Sequence, residues 1–379
     1  MTFRQVKWNS VRILGMSGDA DPYLIESAAK VLDVLELFRR TGKPLTLGDV
    51  SAKLCLPKST VFRLLYTLEK KGCLHRIPDT YFYAMKTRPQ IGMATASPWI
   101  TFAAEITRGL RGAASRCGVD LLIATNEIDG IRTLNNVDEL LAAKVDVLIE
   151  INQDARLGGA ISERCRKAGI PLIAVAFPLP GATNFGVDVL RAGLDGGRAL
   201  AGEVMTRWQG QIDLVLLLNV PDAGYIQRAR LMGMLQGLRE SIAVPADRIY
   251  ALTARRDSDE GRQAIVSLLS RSRGRRIVVL ATNDTQALSA VAAVAHFERD
   301  REILILSHGG VAPARQELRR KGTSLWGTIA HFPESFGDRV VPAALQLLAG
   351  QKVPSNHVLR HAVLTSKNVL QHYPAALAN

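Results

Sequence analysis

Leu56-Pro57-Lys58-Ser59-Thr60-Val61-Phe62-Arg63-Leu64-Leu65-Tyr66-Thr67-Leu68-Glu69-Lys70-Lys71-Gly72 is the run on which the reading of this chain turns. Val61, Leu64, Leu65 and Leu68 recur at the spacing that gathers one apolar face on a helix of 3.6 residues per turn. Ser59, Arg63, Tyr66 and Lys70 then point the other way, with Phe62 and Thr67 beside them. Such a row of donors and cations suits base edges and phosphates. Pro57 fits the first turn and Gly72 the stop. A basic outer face also describes an ordinary solvated helix, so the neighbours must decide.

Upstream, Ser27 to Arg40 reads as a helix with Ala28, Val31, Leu32, Leu35 and Phe38 inward, broken by Thr41-Gly42-Lys43-Pro44. Leu45 to Leu54 makes a short second helix, and Cys55-Leu56-Pro57 turns it into the quoted one. That is helix-turn-helix order. Downstream, Cys73–Ile77 and Tyr81–Met85 flank Pro78-Asp79-Thr80 as a two-stranded wing, placing Arg76 and Lys86 for phosphates. The candidate duplex contacts are Thr46, Lys58, Ser59, Thr60, Phe62, Arg63, Tyr66, Lys70 and Arg76.

Ser27 to Leu35, Leu54 to Leu65, Leu68-Glu69 and Lys71-Gly72 together resemble the winged helix-turn-helix of isocitrate-lyase-regulator (IclR) type transcription factors. The resemblance ends near Met85, because the effector domain that usually follows is not what comes next.

The chain has 379 residues, 47% of them hydrophobic, enough for a small domain and a large one, each with its own core. Its net charge is +13, which favours a polyanionic partner. The charge is denser at the amino end, where residues 1–90 hold 15 Lys and Arg against 8 Asp and Glu. Cys55, Cys73, Cys117 and Cys165 have no C-x-x-C spacing, as expected of a reducing cytoplasm. No apolar run is long enough to span a bilayer, and no secretion signal is evident, so neither membrane nor export is expected. Residues 1–22 show no period and read as a flexible arm or as a basic arm for the minor groove. Residues 23–86 read as the winged helix and 87–379 as the larger domain, joined by the short linker Lys86-Thr87-Arg88-Pro89.

From Gln90 onward β-rich segments alternate with helical patterns, the mark of parallel βα units covered on both faces. Ala168-Gly169-Ile170-Pro171-Leu172, Gly186-Val187-Asp188 with Ala192-Gly193, Arg230-Leu231-Met232-Gly233 and Ala281-Thr282-Asn283-Asp284 with Ala287-Leu288 stand in order. By these motifs the region is similar to type I periplasmic-binding-protein domains, shared by sugar-binding transport proteins and lactose-repressor type effector domains. The resemblance implies an α/β fold of two lobes, two parallel sheets and three crossings, with ligand between the carboxyl ends of the sheets. Lobe one is expected to hold roughly 89–184 with part of 283–308, and lobe two 193–282.

The same resemblance places candidate ligand contacts in the cleft. Trp99 stands where sugar binders stack an aromatic ring, though a core position is equally open. Arg230 matches the ligand-binding arginine, a planar fork suited to hydroxyls or a carboxylate, and Asn283 the cleft asparagine. Three departures matter: Gly309 stands where a ligand-binding aspartate is usual, Phe177 follows Ala176 in place of Asp-Arg, and His331 replaces a glutamine. His308 and His331 are therefore candidates to bind a neutral or anionic ligand, with a core or loop role as the alternative for each. Asp154 is a further candidate, or the cap of the helix from Leu157; Glu150 is another.

No G-x-S-x-G, G-x-x-x-x-G-K-[ST] or H-E-x-x-H is present, and His357 and His361 stand among Val358, Leu359, Val363 and Leu364, which reads as extended chain. No enzyme activity, cofactor or metal is expected. The expected protein is a cytoplasmic one-component transcriptional regulator and homodimer, whose partners are a double-stranded DNA operator and a small effector, a sugar or sugar derivative. The alternative is a cytoplasmic sugar-binding protein with a degenerate winged helix.

Overall fold

The computed structural model describes residues 24–77, 80–83, 88–220, 224–253, 259–272 and 275–374. The chain divides into two compact units, Met1–Met85 and Lys86–Asn379. The 1–22 arm, Lys86 and Thr87 of the linker and the end of the wing lie outside the described residues.

In the smaller unit, α1 (Glu26–Thr41), α2 (Leu47–Leu54) and α3 (Lys58–Lys70) precede the hairpin β1 (Leu74–Ile77) and β2 (Thr80–Tyr83). Thr46 caps α2, its hydroxyl accepting from Asp49 N while Asp49 reaches back to Thr46 N, a reciprocal capping box. Val61, Leu65 and Leu68 of α3 close on Val34 and Phe38 of α1, Val50 of α2, and Leu74 and Tyr81 of the wing. The inward face of α1 is rotated from the one read in sequence: Val34 is fully buried, whereas Ala28 is exposed and Leu32 is 64% exposed.

The larger unit opens with β3 (Gln90–Thr95), α4 (Thr101–Arg116), β4 (Asp120–Thr125), α5 (Gly130–Ala142), β5 (Val147–Glu150), α6 (Gly158–Ala168), β6 (Leu172–Val175) and β7 (Thr183–Val187). The chain crosses to a second lobe of α7 (Val189–Trp208), β8 (Leu214–Asn219), α8 (Tyr225–Arg239), β9 (Ile249–Thr253), α9 (Asp259–Arg271), β10 (Ile277–Ala281), α10 (Asp284–His296), β11 (Ile303–Gly309), α11 (Ala312–Leu318) and β12 (Leu325–Ala330). It returns for α12 (Gly337–Leu348) and β13 (Asn356–Leu359), then crosses back to β14 (Ala362–Thr365) and α13 (Val369–His372).

The sheets run β13-β7-β6-β5-β3-β4 and β14-β12-β11-β10-β8-β9. Every pair in them is parallel except β14 on β12. This corrects the sequence-based division of the lobes: lobe two keeps the chain through Ala330, and lobe one regains only α12 and β13. Helix α5 and strand β7 were not anticipated.

Both faces of the second sheet are apolar, so helices cover each. On one face α7 and α8 approach to backbone contact: a Cβ on Gly197 would lie 2.1 Å from Met234 O, and one on Gly237 2.2 Å from Leu194 O. No helix among the described residues is long and apolar enough to cross a membrane.

Candidate functional site

In the smaller unit the exposed side of α3 carries Lys58, Ser59, Phe62, Arg63, Tyr66 and Lys70, with Thr60 half-buried. Phe62 and Tyr66 are about half exposed and stack at 6.2 Å, and the Lys70 ammonium lies 5.4 Å from the Tyr66 ring centre. Two aromatic faces thus stand among cations, an arrangement that offers hydrogen bonds, charge and ring surface at once. Arg76 extends from the wing, its guanidinium 5.7 Å from the Tyr81 ring. Thr46 departs from this face, because its hydroxyl is committed to Asp49 of the capping box.

The larger unit holds a cavity of about 60 Å³ between its lobes, at the carboxyl ends of the parallel strands. Of the residues singled out in sequence, Phe177, Arg230, Asn283 and His308 line it. Arg230 projects from α8, is 7% exposed and donates to Thr282 O at 3.1 Å. Asn283 caps α10 by accepting from Gln286 N at 3.0 Å. His308, near the end of β11, is fully buried, and its Nε2 has no hydrogen-bond partner. Its Nδ1 lies 3.1 Å from Nε2 of His331, so one of the two donates to the other. Burial holds both imidazoles well below the usual histidine range; for His308 the neighbouring His331 and Arg230 add to it, and for His331 the nearby Arg230 does.

The remaining candidates stand apart from the cavity lining. Trp99 is 87% exposed. Its place as the cavity aromatic on this side is taken by Phe102, one helical turn on. His331 sits behind His308, with the edge of the Phe102 ring against it at 5.8 Å. Asp154 caps a short 3₁₀ turn and binds the Arg156 guanidinium, which draws its carboxyl below the usual range. It lines a neighbouring cavity of about 40 Å³ that shares Ile151 and Gln153 with the larger one. Glu150 is fully buried at the end of β5 with one oxygen unpartnered, and burial pushes its carboxyl up to about 8 against a hydrogen bond from Asn126.

Sequence reading missed Thr101, Phe102, Gln153, Gln227 and Thr285 in the lining. Gln227 was within reach, since it precedes Arg230 by three residues and shares its helix face.

Gly309 explains the missing carboxylate. Its φ is +137°, and a Cβ there would lie 2.6 Å from Oδ2 of Asp284. Asp284 fills that space with its own carboxyl, which accepts from the Ser307 and Thr328 hydroxyls and from Val311 N. Burial pushes this carboxyl up, against those hydrogen bonds. Its oxygens are engaged inside the lobe, and the donors that line the cavity include Arg230, His308 and the amides of Gln153, Gln227 and Asn283.

The cavity adjoins the crossings. His331 to Phe336 carries the chain from β12 to α12, and Phe332 there holds a left-handed backbone, φ 56°. Arg360, in the final crossing, lies 3.9 Å from the centre of the Phe332 ring, and His361 beside it binds Asp195 of α7 at 3.1 Å.

Residues 91–352 match the periplasmic binding protein domain family, and residues 27–78 match the IclR helix-turn-helix domain. The ribose import binding protein of Bacillus subtilis strain 168 is 24% identical over 271 residues, covering 69% of this chain and 83% of that protein. A periplasmic solute binding protein of Actinobacillus succinogenes 130z, solved with D-allose, is 20% identical with a TM-score of 0.67, over 76% of this chain and 100% of that one. A solute binding protein of Bacillus halodurans C-125, solved with myo-inositol, is 19% identical with a TM-score of 0.65, over 76% and 97%. These solved structures share the fold.

Proposed function

This chain belongs to the periplasmic binding protein domain family and carries an IclR helix-turn-helix domain, and from that premise we propose that it is a ligand-controlled transcriptional regulator. The winged helix reads duplex DNA through α3, and the cleft of the larger unit binds a sugar or sugar derivative. The protein works in the cytoplasm as a homodimer, because one winged helix makes too few base contacts, each contributing about 1–3 kcal/mol, for adequate discrimination.

The observation that carries the ligand assignment is the His308 Nε2: a fully buried ring nitrogen without a partner, lining a cavity between lobes. An unsatisfied buried polar atom costs about 1–3 kcal/mol, and a ligand hydroxyl or carbonyl removes that cost. A cavity of about 60 Å³ is far below the ~300–1,000 Å³ usual for small-ligand sites, so a sugar enters by parting the lobes.

His308 also supplies the link from ligand to hinge. One hydrogen bond joins it to His331, the first residue of the segment crossing back to α12. A ligand that fixes His308 therefore biases the crossing segment, and a differential affinity of about 1.4–2.8 kcal/mol between open and closed lobes changes operator occupancy tenfold to a hundredfold.

Thermal-shift screening of ribose, allose, inositol and sugar acids, followed by mobility shift on duplex DNA from upstream of the gene, tests the reading. The expected result is one stabilising ligand that changes DNA affinity. Stabilisation by a sugar with no DNA affinity at any salt concentration supports the alternative, a sugar-binding protein with a degenerate winged helix. Absence of both effects overturns the proposal.

A further inference from the structure

A second concavity of the larger unit lies away from the cleft. It is an open groove of about 680 Å³ on the second lobe, at the amino ends of β11 and β12. The last turn of α7, the α10–β11 and α11–β12 connections and the start of α13 surround it. β11 spans from this groove to the cleft, so the two are separated by roughly 15–20 Å at ~3.3 Å per residue.

Two features of the groove go together. Its apolar surface comes from the half-buried Trp326 and the exposed Leu370, with Leu304, Leu318 and Leu325 buried beneath. Its rim carries Arg207, Arg301, Arg319, Arg320 and Lys321, with Asp300 the one acid among the lining residues. Structural pairing accounts for part of the charge: Arg207 binds Glu203 at 3.3 Å, Arg320 binds Glu317 at 2.8 Å, and Arg319 donates to Tyr373 O at 2.8 Å. Arg301 and Lys321 are exposed and make no ion pair among the described residues. Cations gathered at one rim repel one another, and a bound polyanion relieves that repulsion.

The floor narrows the choice of anion. A duplex backbone would meet the rim and leave the concave apolar floor uncovered. A single carboxylate answers one cation and leaves the rest. Adjacent phosphates match forked arginines bidentately, and a planar apolar group covers the indole of Trp326 and the side chain of Leu370. We propose that this groove is a second ligand site, in which Arg301, Arg319 and Lys321 hold the phosphates of a nucleoside di- or triphosphate and Trp326 with Leu370 receives the base. The site is independent of the sugar cleft and gives the molecule two small-molecule inputs.

The test titrates the full-length protein with ADP by calorimetry and tryptophan fluorescence, with inorganic pyrophosphate and adenosine as partial ligands. ADP is expected to bind at least about tenfold more tightly than either partial ligand. Arg301→Ala combined with Lys321→Ala removes exposed side chains without ion pairs, so folding is retained and ADP affinity falls at least about tenfold. Trp326→Phe retains binding and removes most of the fluorescence change, while Arg63→Ala leaves ADP binding unchanged. No saturable ADP binding, or equal affinity for pyrophosphate, overturns the proposal. So does ADP binding that Arg63→Ala abolishes, which assigns it to the winged helix. Loss of duplex affinity in the double variant without ADP binding gives the groove to nucleic acid, and the proposal fails.

Discussion

The winged helix and the cleft turn their chemistry in opposite directions. Phe62 and Tyr66 of α3 are about half exposed, and Arg63 and Lys70 stand in solvent, whereas His308 is fully buried and Arg230 nearly so. Chemistry displayed outward costs little to hold, because water solvates it until a partner arrives. Chemistry turned inward has to be held by the fold, through capped helices, engaged carboxylates and histidines kept neutral. Substitutions in the first should therefore alter binding alone, and substitutions in the second should alter stability and ligand response together.

The largest effect expected of that contrast comes from Glu150. Its carboxyl stays protonated in the fold up to about 8, against a reference of 4.5, so the native state binds the extra proton between those values. Its contribution to stability is fully present below pH 4.5 and is lost as pH rises through about 8. Over that range the loss is on the order of a few kcal/mol. Urea denaturation at pH 5, 7 and 9 should show Glu150→Gln overtaking the parent protein as pH rises; parallel pH profiles would mean the carboxyl is not held neutral.

Next in size is Gly237→Val, whose side chain runs into the backbone of α7. The expected cost is about 3 kcal/mol or more, seen as a lower denaturation midpoint. An unchanged midpoint would show that the helix pair is not in backbone contact.

Arg230→Ala should remove about 1.5–3 kcal/mol of ligand affinity by calorimetry and abolish the ligand response, while DNA affinity without ligand stays the same. A fall in that basal DNA affinity would break the proposed division between sensing and reading. At the small end, Arg63→Ala should cost about 1–3 kcal/mol in DNA binding by mobility shift, with no change in thermal midpoint. A destabilised variant would place Arg63 among the structural residues rather than the reading ones.

How far the sequence discloses each region follows from the same contrast. The face of α3 was legible because a single helical period sorts exposed from buried, and the buried Val61, Leu65 and Leu68 match it. The parallel strands were legible as short apolar runs, and β5, β6 and β10 are buried throughout. Helix α5 was not, because its inner face carries Thr133 and Asn136 beside Val137 and Leu140, and those polar residues blur the period. Asn136 is tolerated there because its amide donates to Thr125 O and to Asn126 Oδ1. The face of α1 was misjudged because Ala28 and Leu32 are apolar yet exposed. In the cleft, family motifs pointed to Arg230 and Asn283, and the departures from the family pattern pointed to His308. The replacement of Trp99 by Phe102 depends on where the helix begins, which propensity fixes only within a residue or two. The exchange of α12 and β13 between lobes was hidden because it rests on pairing between distant strands, β13 with β7.

The carboxyl of Asp284, lodged beside Gly309, constrains how this cleft can change over generations. An acid restored at 309 on the present backbone would collide with the one already there, so the two positions are epistatic. Any lineage regaining the usual sugar grip must first shrink residue 284 or remould the loop. Libraries that vary residues 284 and 309 together therefore reach arrangements that single substitutions at 309 do not.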